Sequence, residues 1–340
     1  MLRQIIVSLS CRVKRLCKFT GIDGQKQRAR QFRPRYLIPF FLAGMYAVTA
    51  LAKDASTKSL NPATTSTRQG GALFKVQRDG HTTYLFGTIH VGSADFFPLA
   101  PAVMDALNQS SRIAIEIDTS DTQALNLLLQ HYALYPNDSA SAQDMPAALT
   151  RQVHALLDKY RMTPTDVVRM KPWLLATMLT TEEYARNGFP KEQGVDNYLS
   201  NYAQTQHKPL IGLESVKYQL SLLGDLSIAE QNQFLQDTVN DLEDPVRARK
   251  ALDLVTLWRS GDLSGLEKLM KEMTSDETFT GKFIQRTLLD GRNPALADAV
   301  EKLLKSEKTT FAGIGMLHLV GDKSVQALLR QRGYRVQRTY

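Results

Sequence analysis

The stretch TTYLFGTIHVG, Thr82 to Gly92, has an echo near the other end of the chain in TTFAGIGMLHLVG, Thr309 to Gly321. In the first, an apolar β run leads into Gly87-Thr88-Ile89-His90 and then Gly92. In the second, a similar run leads into Gly315-Met316-Leu317-His318 and then Gly321. Each is followed by a helical pattern and a further strand. After the first come Pro101 to Gln109 and RIAIEID, Arg112 to Asp118; after the second come SVQALLRQRG, Ser324 to Gly333, and YRVQRTY. Two units of strand, G-x-x-H, glycine turn, helix and strand imply an α/β fold in which they pack as a related pair. Both histidines then fall at strand ends, where ligand crevices of α/β sheets form, and two residues distant in sequence share one site.

Outward from the first unit, ALFKVQRDG (Ala72 to Gly80) supplies a partner strand, with Asp79-Gly80 as the hairpin turn. Between the units the period changes. ALNLLLQHYALY (Ala124 to Tyr135) and VHALLDKY (Val153 to Tyr160) space their apolar residues for amphipathic helices. A short strand, KPLIGLE (Lys208 to Glu214), interrupts the helical run, which resumes in SIAEQNQFLQDTVNDL and PVRARKALDLVTLW. Strands at both ends and helices in the middle predict one α/β domain, α+β-like in its segregation, over residues 71–340. Its central sheet carries a large helical insertion.

The chain has 340 residues, 43% apolar and 22% charged, enough for a substantial core, and a formal net charge of +8. That charge sits in the leader: residues 1–52 hold ten Lys and Arg against one acid, Asp23. Of the chain's 42 basic and 34 acidic residues, 32 and 33 therefore remain for the rest, a net of −1, which removes the ground for a nucleic-acid partner. The leader's basic part precedes an uncharged run, Tyr36 to Ala52, ending Ala50-Leu51-Ala52, the pattern of an export signal cleaved after Ala52. The run is short for a spanning helix and is interrupted by Pro39 and Gly44; left uncleaved, it would be an N-terminal membrane anchor. Residues 53–70, rich in Ser, Thr and Asn, read as a flexible linker. The expected location is the periplasm, or the inner membrane if the anchor is retained. Both cysteines, Cys11 and Cys17, lie in the leader, so the exported part has no disulfide, thiolate metal site or cysteine nucleophile.

The domain carries no G-x-S-x-G, no H-E-x-x-H and no Walker loop, so any active site is composite. Gly313-x-Gly315 is not a dinucleotide fingerprint, because the third glycine position is His318 and only 22 residues follow it. His90 and His318 are candidates through their matched contexts, since imidazole serves both as metal ligand and as acid/base group. In RIAIEID, alternation sets Glu116 and Asp118 with Ala114 on one face; that face either meets a cation or meets water. Glu214 ends its strand, as a site residue or as an acid favoured by the dipole of the next helix. Arg292-Asn293 follows Leu288-Leu289-Asp290-Gly291 at what reads as a helix end, where a cation needs no function. Asp196, in GVDNYL, reads as an acid in a first helical turn, and Trp173 as core behind the helix-opening Pro172.

Taken in order, LFGTIHVGSADFFPL, IAIEID, KPWLLA, GVDNYL, KPLIGLES with Gln219, DGRNPALA and GIGMLHLVGDKSVQALLRQRGYRV resemble the TraB/GumN family, which is related to the Tiki metallopeptidases. The resemblance covers Ala72 to Tyr340. It implies a fold like the erythromycin-esterase (EreA) and ChaN-like proteins, and a metal-dependent hydrolase, a Tiki-like peptidase, using Mn²⁺ or Co²⁺. Carried over residue by residue, it makes His90, His318, Glu116 and Glu214 the expected metal ligands. Arg292 and Asn293 match the family's R-N pair as catalytic-site residues, and Glu116 or Glu214 serves as general base. A histidine-carboxylate set without thiolate also suits Zn²⁺ or Fe²⁺. The expected partner is a peptide or small-molecule substrate. The alternative implied by ChaN-like relatives is a non-catalytic protein that sequesters a peptide or haem-like ligand through the same histidines.

Overall fold

The computed structural model describes residues 70–136, 144–275, 277–306 and 309–340; the expected signal and nearly all of the expected linker lie outside them. β1 (Leu73–Arg78) and β2 (His81–Thr88) form the hairpin expected at Asp79-Gly80. α1 (Pro101–Gln109) then leads to β3 (Arg112–Ile117). The helical middle opens with α2 (Thr122–Tyr132), α3 (Ala147–Lys159), α4 (Pro164–Val167), α5 (Pro172–Arg186) and α6 (Val195–Thr205). It is interrupted by β4 (Leu210–Glu214) and continues through α7 (Val216–Gly224), α8 (Ile228–Glu243), α9 (Pro245–Ser260), α10 (Leu263–Thr274) and α11 (Phe279–Phe283). A π-helical segment, Ile284–Asp290, precedes α12 (Asn293–Ser306). β5 (Thr309–Gly315), α13 (Val325–Gln331) and β6 (Arg335–Arg338) close the chain.

The six strands make one mixed sheet in the order β4-β3-β5-β2-β1-β6. β4, β3, β5 and β2 run parallel, and β1 is antiparallel to both β2 and β6. The two repeated units are thus interleaved. Their leading strands β2 and β5 lie side by side with Thr88 opposite Gly315, while their returning strands lie on opposite sides, β3 beyond β5 and β6 beyond β1. The C-terminal ends of four adjacent strands therefore carry, in spatial order, Glu214, Glu116, the Gly315 turn with His318, and the Thr88 turn with His90.

Two apolar clusters hold this frame. One lies about the sheet, with Phe86, Phe311, Ile314 and Trp258. The other belongs largely to the helical middle, centred on α5 and α8, where Trp173 is fully buried as expected and donates its indole N–H to Tyr132 O at 2.9 Å. Local sequence sets the helix starts: Pro172 occupies the first turn of α5, Ser227 and Glu230 form a reciprocal cap on α8, and Asp244 caps α9. Trp258 of α9 reaches the first repeated unit, donating from Nε1 to Gly87 O at 2.9 Å and stacking on Phe96. Among the described residues no helix is long and apolar enough to cross a membrane.

Candidate functional site

The strand ends bring the six expected residues into one cluster. Arg292, which the sequence allowed as a helix-end cation, is fully buried between two carboxylates. Its Nη2 donates to Glu116 Oε2 in a very short contact and to Glu214 Oε2 at 2.5 Å, and its Nε donates to both Glu214 oxygens at 3.1 and 3.2 Å. Its Nη1 lies 3.2 Å from His318 Nε2. A guanidinium only donates, so His318 accepts there and its proton sits on Nδ1, which donates to Asn293 Oδ1 at 2.6 Å. The Asn293 amide is fixed in turn by donating to Lys323 O at 2.8 Å. The adjoining residues 292 and 293 thus hold both ring nitrogens of His318, from a chain that leaves its π-helical turn just before them.

The two histidines differ in surroundings. His318 is 3% exposed; burial and the Arg292 charge push its pKa down to about 3, so it stays neutral. The His90 side chain is 14% exposed and is the open face of the cluster. Its Nδ1 lies 2.6 Å from Asp196 Oδ2, and Asp196 Oδ1 accepts from Thr88 Oγ1 at 2.8 Å. Burial works against charging His90, but the Asp196 carboxylate outweighs it and raises the pKa. Glu116 goes the other way. Burial would raise its pKa, yet Arg292, the histidines and the Gly315 N–H, which donates to Oε1 at 2.7 Å, hold it well below the ordinary carboxylate range.

The observed centre of the cluster is the space beside Gly315. A Cβ there would sit 2.9 Å from Glu116 Oε1, 3.6 Å from His318 Cδ2 and 3.9 Å from His90 Nε2, so the absence of a side chain keeps this cradle open. Gln219, in the second turn of α7, closes the far side: its Nε2 donates to Glu214 at 2.7 Å and to Glu116 at 3.1 Å, while its buried Oε1 has no partner. Among the described residues no three His, Asp or Glu side chains already converge in metal-binding geometry, because Arg292 engages His318, Glu214 and one oxygen of Glu116. By donor chemistry the residues fit a divalent ion. His90 Nε2 and Glu116 Oε1 border the cradle, His318 turns only its Cδ2 edge to it, an orphaned buried oxygen of Gln219 lies next to Glu116, and each histidine has its Nδ1 tied by an oxygen acceptor, as ligating imidazoles generally do.

Residues 72–338 match the sequence model of the TraB/PrgY/gumN family. The chain belongs to this family. Among its similar relatives, the uncharacterized protein YbaP of Escherichia coli (strain K12) is 24% identical over 250 residues, covering 73% of this chain and 87% of YbaP. The metalloprotease TIKI homolog of Nematostella vectensis is 23% identical over 309 residues, covering 75% of this chain and 64% of that protein. Metalloprotease TIKI1 of Danio rerio is 25% identical over 317 residues, covering 78% and 63%. The family assignment agrees with the resemblance read from the ordered motifs.

Local sequence assigns no role to Thr88, a helix-start role alone to Asp196, and only a motif position to Gln219. Thr88 lies inside the G-x-x-H motif itself, and Asp196 inside GVDNYL. The available signal was a polar residue in an apolar strand end and an acid two residues after a glycine.

Proposed function

We propose that the protein is a metal-dependent hydrolase, a Tiki-like peptidase acting in the periplasm, on an architecture of the erythromycin-esterase and ChaN-like kind. The observation that carries this reading is the cradle at Gly315, bordered by His90, His318 and Glu116 from three adjacent strand ends. The distant relatives named as metalloproteases support this reaction class.

His90 and Glu116 are the side chains that would hold the ion, Mn²⁺ or Co²⁺ by family resemblance; of the other expected ligands, His318 would join them only once Arg292 Nη1 gives up its Nε2, and Glu214 is retained by Arg292 through both oxygens. Such an ion supplies Lewis-acid polarisation of a carbonyl and a lowered pKa for water. The protein's own groups supply orientation. Gly315 N–H fixes Glu116 Oε1 at the cradle, where that oxygen accepts a hydrogen bond from an incoming water. Arg292 keeps Glu116 ionised, which makes it an orienting acceptor and a weak base. Asn293 and Arg292 hold His318 neutral and immobile, and the part-exposed His90 marks the side from which a substrate approaches.

The test is cleavage of a diverse peptide library by the purified protein, with Mn²⁺ or Co²⁺ and with a chelator. Metal-dependent cleavage that disappears in His90→Ala is the expected result. A folded, metal-loaded protein that cleaves nothing, or cleavage unchanged in His90→Ala, would overturn the proposal.

A further inference from the structure

We infer that Asp196 is the positioning residue of this site: its carboxylate fixes His90 in the Nδ1–H tautomer, so that Nε2 is the ring's acceptor at the cradle, and Thr88 fixes the carboxylate. The positioning of His90 stands on geometry alone; its importance for turnover rests on the hydrolase reading above.

Asp196 is buried in the first turn of α6, and the backbone docks that turn directly on the strand end bearing His90. Val195 N donates to Ile89 O at 2.8 Å, and a Cβ on Gly194 would lie 2.5 Å from His90 O, so the approach requires glycine. Asn197 Nδ2 holds the same turn from the other side through Lys191 O at 2.8 Å. The glycine and the acid of GVDNYL thus act together: one lets the helix come close, the other uses the closeness.

A carboxylate accepts hydrogen bonds and does not donate them. With Oδ2 against His90 Nδ1 and Oδ1 taken by the Thr88 hydroxyl, the proton of a neutral ring is confined to Nδ1. The second unit reaches the same tautomer by another route, because the Asn293 amide is pinned by its own donation to Lys323 O. A hydroxyl both donates and accepts, so in Asp196→Asn Thr88 pairs with either end of the amide and the tautomer is not fixed. Asp196→Leu, close to aspartate in size, leaves no acceptor at Nδ1 and releases the neutral ring to its Nε2–H form. A near-isosteric change then removes the acceptor at the cradle while leaving the ring in place.

The readout is the imidazole ¹H–¹⁵N correlation spectrum of the full protein at a pH above the folded His90 pKa, where the ring is neutral, with the His90 signals assigned by their loss in His90→Gln. Wild type is expected to show His90 protonated at Nδ1, and Asp196→Leu to show a neutral His90 protonated at Nε2, with Thr88→Val leaving the Nδ1 proton in place. If the hydrolase reading is right, Asp196→Leu also loses roughly 10- to 100-fold in activity or metal affinity, the usual scale for a partner behind a ligand. An Nε2–H tautomer in wild type, a measurement that needs no variant to fold, would overturn the inference, as would an unchanged tautomer in Asp196→Leu. The expected tautomers without turnover would leave Asp196 as the positioning residue and sink the hydrolase reading instead.

Discussion

The two G-x-x-H units share a backbone plan and differ in nearly everything their histidines touch. His90 is part exposed, has a carboxylate behind it and has a raised pKa; His318 is buried, has an amide behind it and a guanidinium in front, and its pKa is pushed down to about 3. The repeat supplies position, and the helices that dock on each strand end supply chemistry: α6 brings Asp196 to the first unit, and the turn into α12 brings Arg292 and Asn293 to the second. One frame used twice thereby yields a part-exposed histidine backed by a carboxylate and a fixed neutral one.

The strongest way to break this contrast is to remove its source of charge. Arg292→Met leaves Glu116 and Glu214 buried without a cation, and breaking such a buried arrangement costs about 3–5 kcal/mol, so denaturant unfolding should move to much lower midpoint or the protein should fail to fold. Next in size, on the proposed function, His90→Ala should abolish ion retention and peptide cleavage, with a smaller loss of stability than His318→Ala although it takes a partner from Asp196. His318→Ala should lose both function and stability, because it leaves Asn293 and Arg292 facing a cavity. Equal stability losses in the two variants, by the same denaturation measurement, would erase the distinction.

The pH dependence should have opposite signs in the two units. His318 has a folded pKa below its unfolded value, so the unfolded chain takes up the proton first. Its contribution weakens stability as pH falls from about 6.5 toward 3, at up to about 1.4 kcal/mol per pH unit. His90 has a folded pKa above its unfolded value, so its contribution is complete below about 6.5 and is lost as pH rises through the folded pKa. Unfolding curves between pH 4 and pH 8 should therefore flatten on the acid side in His318→Gln and on the alkaline side in His90→Gln. The smallest expected effect is that of Thr88→Val, which removes one hydrogen bond to Asp196 and should cost about 1 kcal/mol.

Much of the frame was legible because it rests on short-range pattern. The Asp79-Gly80 hairpin, the strands ending in Thr88, Ile117, Glu214 and Gly315, and the helix opening at Pro172 all follow from local spacing, and the placement of both histidines at strand ends follows from the repeat. The strand order did not follow, since nothing local says that β5 inserts between β3 and β2. Arg292 was legible only as a cation at a helix end, because its partners Glu116 and Glu214 lie 176 and 78 positions away and the π-helical turn before it has no simple periodic signature. Glu116 had two readings, a wet face or a cation-facing one, and burial of the strand on both faces decides for the second. Asp196 obeys the rule for an acid at a helix start so well that the glycine two residues before it was the one local hint of its partner, 106 residues distant.

The proposed ion site draws on both units, with His90 at the cradle and His318 joining once Arg292 releases its Nε2. Elemental mass spectrometry of the purified protein, after loading with Mn²⁺ or Co²⁺ and removal of free ion, tests it beside His90→Ala and a folded His318 variant. About one retained ion per chain is expected in the wild type and none in either variant. Retention of the ion in both variants, or no ion in a folded wild type, would contradict it.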